Sequence, residues 1–179
     1  MICVSAPAAD LNRSTIRRRI LALAAACLLL GPLSSGAKAD SIGAARSAYA
    51  RGDFVRAVRV LTPLALRGNP QAQAMLGFMY ENGFGTPQAY VVASDLYCQA
   101  AAAGNPFGQA MLGLMYDKGH GVPQDVVLAY KWLDLAAAHA SRAQRSYYLR
   151  LRNAIASKMS TSQIAQGQAL ALGWIPGQL

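Results

Sequence analysis

Residues 74–101 read AMLGFMYENGFGTPQAYVVASDLYCQAA, and residues 110–137 read AMLGLMYDKGHGVPQDVVLAYKWLDLAA. The two segments are 36 residues apart and share the order Met-Leu-Gly, Met-Tyr, Gly-x-Gly and Pro-Gln, followed by alanines. Self-similarity at a fixed period of about 20–50 residues is the signature of a repeat architecture. The sequence therefore predicts a stack of similar units rather than one core built from unlike elements.

Each unit carries the pattern of two helices. Leu76, Met79 and Tyr80 form an apolar stripe at helical spacing, and Gly83 follows as a residue that often ends a helix. Asn69-Pro70 places an N-cap acceptor before a proline at the first helical position. Caps of the same kind are predicted at Asn105-Pro106, at Ser141 and at Ser160. The predicted helices are 42–51, 54–67, 70–82, 89–103, 106–118, 125–139, 142–157 and 161–172.

These helices predict an all-α fold, an α-solenoid of about four antiparallel helix pairs. The predicted units are 41–69, 70–105 and 106–141, followed by a helical cap at 142–179. The first unit is shorter between its helices than the next, as expected of a terminal repeat.

The solenoid is predicted to follow a signal peptide, residues 1–39. Arginines precede an apolar run from Ile20 to Leu30, and Ala37-Lys38-Ala39 supplies the small residues of a cleavage site. The run is shorter than the ~20 residues needed to span a bilayer. We expect cleavage after Ala39 and a periplasmic mature chain, residues 40–179. A lipoprotein box at Ala24–Cys27 and a twin-arginine signal at Arg17-Arg18 are weaker matches to those patterns.

Cleavage would also change the charge and the cysteine content. It removes five basic residues and one acidic residue, so the net charge falls from +9 to +5. Cys98 is then the sole cysteine, which predicts no internal disulfide. Its repeat equivalent is Asp134, so we expect a half-buried, inert thiol, with an intermolecular disulfide as the alternative.

The stretch 110–137 resembles a Sel1-like repeat almost position for position. The stretch 74–101 resembles it with two departures, Thr86 in place of Val and Leu96 in place of Trp. The segment Tyr49–Ala65 is more similar to half of a tetratricopeptide repeat. The resemblance implies a solenoid that acts as an adaptor, often in bacterial envelopes. A cysteine-rich branch of the family is credited with β-lactamase or penicillin-binding activity, but this chain lacks the paired cysteines.

The residues themselves predict no catalytic site, cofactor or metal. His120 and His139 are far apart in sequence and in helical context, whereas zinc needs three or four ligands. The predicted function is therefore that of an exported, non-enzymatic adaptor or regulator of the bacterial envelope. The alternatives are a cell-wall-related enzyme and a structural periplasmic component.

The predicted partner is an envelope protein or peptide, bound in the groove formed by the first helix of each pair. Nucleic acid is not expected, and the oligomeric state is left open. The basic C-terminal helices provide a second candidate surface, for an acidic protein or anionic lipid headgroups. Phe78 and Leu114 are groove candidates that also fit a plain core role. The candidate contact residues, which vary between copies or form the basic end, are Phe78, Glu81, Leu114, Asp117, Arg145, Arg150 and Arg152.

Overall fold

The computed structural model describes residues 41–177, which contain eight helices and no strand. Every helix begins and ends within one residue of its predicted bounds, so the all-α prediction is confirmed. The predicted signal peptide, residues 1–39, lies outside the described residues. The helices are α1 Ile42–Ala50, α2 Phe54–Leu66, α3 Pro70–Asn82, α4 Tyr90–Ala102, α5 Pro106–Lys118, α6 Val126–His139, α7 Arg142–Ala156 and α8 Thr161–Leu172.

The helix ends follow the local chemistry of the sequence. The side chain of Asn69 accepts a hydrogen bond from Ala72 N at 3.0 Å, and Asn105 caps α5 in the same way. Gly83 ends α3 in the left-handed conformation, with φ 70° and ψ 26°. Ser160 begins α8 with a capping box that it shares with Gln163. These predicted caps are confirmed, because each satisfies backbone groups that the helix leaves unpaired.

The cap predicted at Ser141 is wrong. Ser141 precedes α7, but its hydroxyl donates to the side-chain oxygen of Gln144 at 3.0 Å. It accepts no backbone N–H of α7, so the first turn of that helix lacks a side-chain cap.

Within a unit, glycine lets the first and second helices approach closely. A Cβ added at Gly77 of α3 would lie 3.0 Å from the ring of Tyr97 on α4. A Cβ added at Gly113 of α5 would lie 3.0 Å from the carbonyl oxygen of Ala129 on α6. Small residues at these crossings bring the two helix axes together and bury the alanine-rich faces between them.

A second set of glycines joins one unit to the next. Gly121, in the loop after α5, has φ +71°, and a Cβ there would lie 2.3 Å from the carbonyl oxygen of Tyr90 at the start of α4. Gly85, in the loop after α3, lies in the same way over Phe54 at the start of α2. Each Gly-x-Gly loop thus packs on the beginning of the second helix in the preceding unit.

The last helices depart from the regular stack. Both α7 and α8 pack against α6, and a Cβ at Gly167 of α8 would lie 2.8 Å from the ring of Tyr130. The chain then turns back, with the Trp174 ring 5.1 Å from that of His139. Gly177 N donates to Ala102 O at 2.9 Å, so the C-terminal segment crosses the ends of α6 and α4.

The expectation for Cys98 is wrong. Cys98 is buried, with 7% exposure, and it is disulfide-bonded rather than a free thiol. Asp134, the equivalent of Cys98 in the next repeat, was a poor guide to the burial of Cys98. Asp134 is held near the surface by an ion pair with Arg152, in which Nη1 lies 2.7 Å from Oδ1.

In the part of the chain that the structure describes, no helix has the length and apolar character needed to span a bilayer.

The two kinds of glycine contact lead to a stability prediction. Gly121→Ala should lower the free energy of unfolding by about 3 kcal/mol. The new methyl group would collide with the backbone of Tyr90, and the alanine would be held at a positive φ. Gly52→Ala is the matched control, since Gly52 has φ +77° but nothing within 4 Å of an added Cβ. That change should cost about 1 kcal/mol from backbone conformation alone. Urea unfolding measures both, and equal losses would contradict the close inter-unit contact.

Candidate functional site

A groove of about 380 Å³ crosses the first helices of the stack. It lies at the N-terminal ends of α1, α3, α5 and α7, so each unit and the C-terminal cap contributes to it. Its lining residues are Ile42, Arg46, Gln71, Ala74, Met75, Asn105, Pro106, Phe107, Gln144 and Tyr148.

The groove has an apolar floor and a polar rim. Met75 and Phe107 are half-buried, and Tyr148 is 3% exposed. Gln71 and Gln144 are exposed at the rim. This combination of apolar surface and a few convergent polar groups is typical of ligand-binding clefts.

Two polar side chains in the groove have no partner among residues 41–177. Arg46 is exposed and forms no ion pair with any residue between 41 and 177. The hydroxyl of Tyr148 likewise has no hydrogen-bond partner within that range. Burial, and then the neighbouring Tyr147, raises the pKa of Tyr148, so the phenol keeps its proton. Both groups are therefore hydrogen-bond donors.

Phe78 lies two helical turns beyond Gln71 on α3, but the groove does not extend to it. Its ring instead belongs to an aromatic cluster, 6.0 Å from the ring of Phe84 and 6.2 Å from that of Phe107. Phe54 and Tyr49 complete this cluster. Leu114, which follows Phe107 by the same two turns, is half-buried and does not line the groove either.

The acidic candidates, Glu81 and Asp117, make contacts within the protein. The hydroxyl of Tyr97 on α4 donates to a Glu81 carboxylate oxygen at 2.7 Å. Asp117 pairs with Lys158, with 3.3 Å between Nζ and Oδ1. Each carboxylate thus helps to hold neighbouring segments together.

The basic candidates lie on α7 and are partly engaged as well. Arg152 Nη1 lies 2.7 Å from Asp134 Oδ1 on α6, and its side chain is 25% exposed. Arg145 Nε donates to Ala137 O at 3.2 Å. Arg150 is exposed, with its guanidinium carbon 5.8 Å from the centre of the Tyr147 ring. The structure therefore brings none of the seven candidate residues into the groove.

The residues that do line the groove were missed, although a signal for two of them exists in the sequence. Gln71 and Phe107 are equivalent by the 36-residue shift and differ between the copies, as Phe78 and Leu114 do. Residues seven apart on a helix lie on the same face. The candidate positions Phe78 and Leu114 therefore lie on the same face of α3 and α5 as the groove residues, but two helical turns further along each helix.

No group of three or more His, Cys, Asp or Glu side chains among residues 41–177 is arranged to hold a metal ion. His139 Nδ1 lies 2.9 Å from the Gln109 side-chain oxygen, and the His120 ring lies 4.4 Å from that of Tyr90. Both histidines belong to the unit 106–141, but they contact different side chains, Gln109 for His139 and Tyr90 for His120.

The helix pairs, their glycine contacts and the groove define this protein as a helical-repeat solenoid. The Sel1 repeat family model matches residues 70–105 and 106–141. These residues are two Sel1 repeats, as predicted, and repeats of this kind typically mediate protein–protein interaction.

Solved structures agree with this assignment. The protein c5321, described as a protective antigen of uropathogenic Escherichia coli with an SLR fold, is 25% identical with a TM-score of 0.68. The match covers 74% of this chain and 28% of c5321. A Sel1 repeat protein from Oxalobacter formigenes is 24% identical with a TM-score of 0.59, covering 73% of this chain and 54% of that one. This chain thus spans only part of either relative. A search of curated proteins found no significant match.

The bond between Tyr97 and Glu81 leads to a pH prediction. The pKa of Tyr97 is raised above its ordinary value near 10, chiefly by burial and further by Glu81. Because the folded-state pKa exceeds the unfolded one, the stabilisation from Tyr97 is present below pH ~10 and is lost as the pH rises further. Tyr97→Phe should cost about 1 kcal/mol at neutral pH. Urea unfolding should show this difference shrinking above pH ~10.

A Tyr97→Phe difference that stays constant between pH ~8 and ~11 would contradict the assignment.

The two ion pairs should differ in strength. A double-mutant cycle with Arg152→Gln and Asp134→Asn should give a coupling energy of about 0.5–1 kcal/mol, because both side chains are less than a third exposed. The same cycle for Lys158 and Asp117 should give a coupling near zero, since Lys158 is 58% exposed. Thermal or urea unfolding measures both, and equal couplings would show that burial does not separate the two pairs.

Proposed function

We propose that this protein is an exported, non-enzymatic interaction protein of the bacterial envelope. It binds a segment of a partner protein in the groove formed by α1, α3, α5 and α7. The observation that carries the proposal is this groove, which spans the first helices of all the units and has an apolar floor. The two Sel1 repeats, typical of protein–protein interaction, support the same reading.

The proposal that the chain is exported rests on the sequence of its first 39 residues. Their arginines, apolar run and Ala37-Lys38-Ala39 follow the order of a secretory signal. An envelope partner follows from that location.

The alternatives receive less support. On α7, Arg152 pairs with Asp134 and Arg145 donates to a backbone carbonyl within the protein, while Arg142, Arg145 and Arg150 are exposed. The alternative of a cell-wall enzyme rests only on resemblance to a cysteine-rich branch of the family, whereas this chain contains three cysteines. The groove is therefore the proposed contact surface.

Photo-crosslinking in cells tests the proposal. A benzophenone amino acid at Gln71, exposed at the groove rim, should form a discrete crosslinked product with an envelope protein. The same amino acid at Val92, exposed on α4 and outside the groove, is the matched control and should give none. Western blotting detects the products, and mass spectrometry identifies the partner.

A groove-filling change should abolish the product. Ala74→Leu places extra volume on the groove floor, where Ala74 is 2% exposed, and circular dichroism checks that the variant folds. Crosslinks of equal yield from Gln71 and Val92, or a product unaffected by a folded Ala74→Leu variant, would argue against the groove as the contact surface.

A further inference from the structure

The groove carries a positive charge without an internal partner. Arg46 is the one charged residue that lines it, and none of the six acidic residues in the described segment does so. The ion pairs in that segment join other residues, Arg152 with Asp134 and Lys158 with Asp117. A ligand with a negative group is therefore complementary to this surface.

A second and independent observation is the hydroxyl of Tyr148. This side chain is 3% exposed and lines the groove, yet the hydroxyl has no hydrogen-bond partner among residues 41–177. Among residues 41–177 the one buried side-chain donor without a partner is Trp174 Nε1, so the Tyr148 hydroxyl keeps access to solvent through the groove. A ligand oxygen in the groove would replace water as its acceptor.

The position of the groove favours a negative group as well. Gln71 and Phe107 are the second residues of α3 and α5, and Gln144 is the third residue of α7. The groove thus faces the N-terminal ends of several helices, where the backbone carries partial positive charge.

We propose that the groove selects peptide segments that carry a carboxylate next to an apolar side chain. The carboxylate pairs with Arg46 or accepts from Tyr148, and the apolar side chain packs on Met75 and Phe107. This inference rests on the proposed function, because it names the ligand chemistry of the same groove. A volume of about 380 Å³ is near the lower end of ligand pockets, so it holds a few side chains rather than a folded domain.

Selection from synthetic peptides tests this inference. The immobilised full chain is incubated with a random hexapeptide library whose C-termini are amidated, and bound peptides are quantified by mass spectrometry. Glu and Asp should be enriched at least fivefold over Gln and Asn at one position, with an apolar residue beside it. A second library with free C-termini distinguishes an acidic side chain from a terminal carboxylate, because the latter would give enrichment without internal Glu or Asp.

Matched variants assign the preference to the groove. Arg46→Gln should abolish the acidic preference, since the side chain is exposed and its loss leaves the fold intact. Tyr148→Phe should weaken it and retain the packing of the ring. Arg51→Gln is the control, because Arg51 is exposed at the end of α1 but does not line the groove, and it should retain the full preference.

The outcomes separate this inference from the proposed function. Peptides enriched without any acidic preference in either library, together with crosslinks from Gln71, would overturn the carboxylate inference and leave the groove as a protein contact. An acidic preference that survives Arg46→Gln but falls with Arg150→Gln would overturn it also, because it would assign the anion to α7. No enrichment by the wild-type chain would overturn the carboxylate inference, while the crosslinks from Gln71 decide the proposed function separately.

Discussion

The contact between the backbone of Gly121 and the carbonyl of Tyr90 fixes the spacing between consecutive repeats. A glycine loop can lie directly on the beginning of a preceding helix because no side chain separates the two backbones. Gly85 makes the same contact with Phe54, so two successive junctions have one geometry. The N-terminal ends of the first helices therefore line up along one side of the stack. The groove is a result of that alignment rather than of any one unit.

The fold was predictable because its signals are local and repeated. Asn69 and Asn105 cap their helices through their own side chains, and Gly83 and Gly119 end them in the left-handed conformation. Each of these effects acts within one turn of chain, so a sequence pattern reports it directly. The structure departs from the regular stack of helix pairs where the 36-residue sequence repeat becomes weak. The end of the chain packs on α6 through Gly167 and Trp174, contacts that no earlier unit contains.

The groove was less predictable because it depends on contacts between units. Comparison of copies identified the inward face of α3 and α5, but not which end of that face stays open. The end at Phe78 is filled by an aromatic cluster with members from the first three units, including Tyr49, Phe84 and Phe107. The distribution of charge along the sequence was also an incomplete guide to surfaces that contact a partner. The basic C-terminal region and the acidic middle meet each other in the Arg152–Asp134 and Lys158–Asp117 pairs, so part of that asymmetry joins segments of the protein.

The matching junctions at Asn69-Pro70 and Asn105-Pro106 give the architecture a modular character. The two asparagines have nearly the same backbone angles, φ −69° with ψ 114° and φ −69° with ψ 117°. A second copy of residues 70–105 inserted after Asn105 would therefore have an Asn-Pro junction of the same geometry at each of its ends. It would bring its own copy of Ala102, whose carbonyl accepts the bond from Gly177, so the closing segment would keep its anchor. The length of the groove is thus a quantity that gene duplication can change in steps of one repeat.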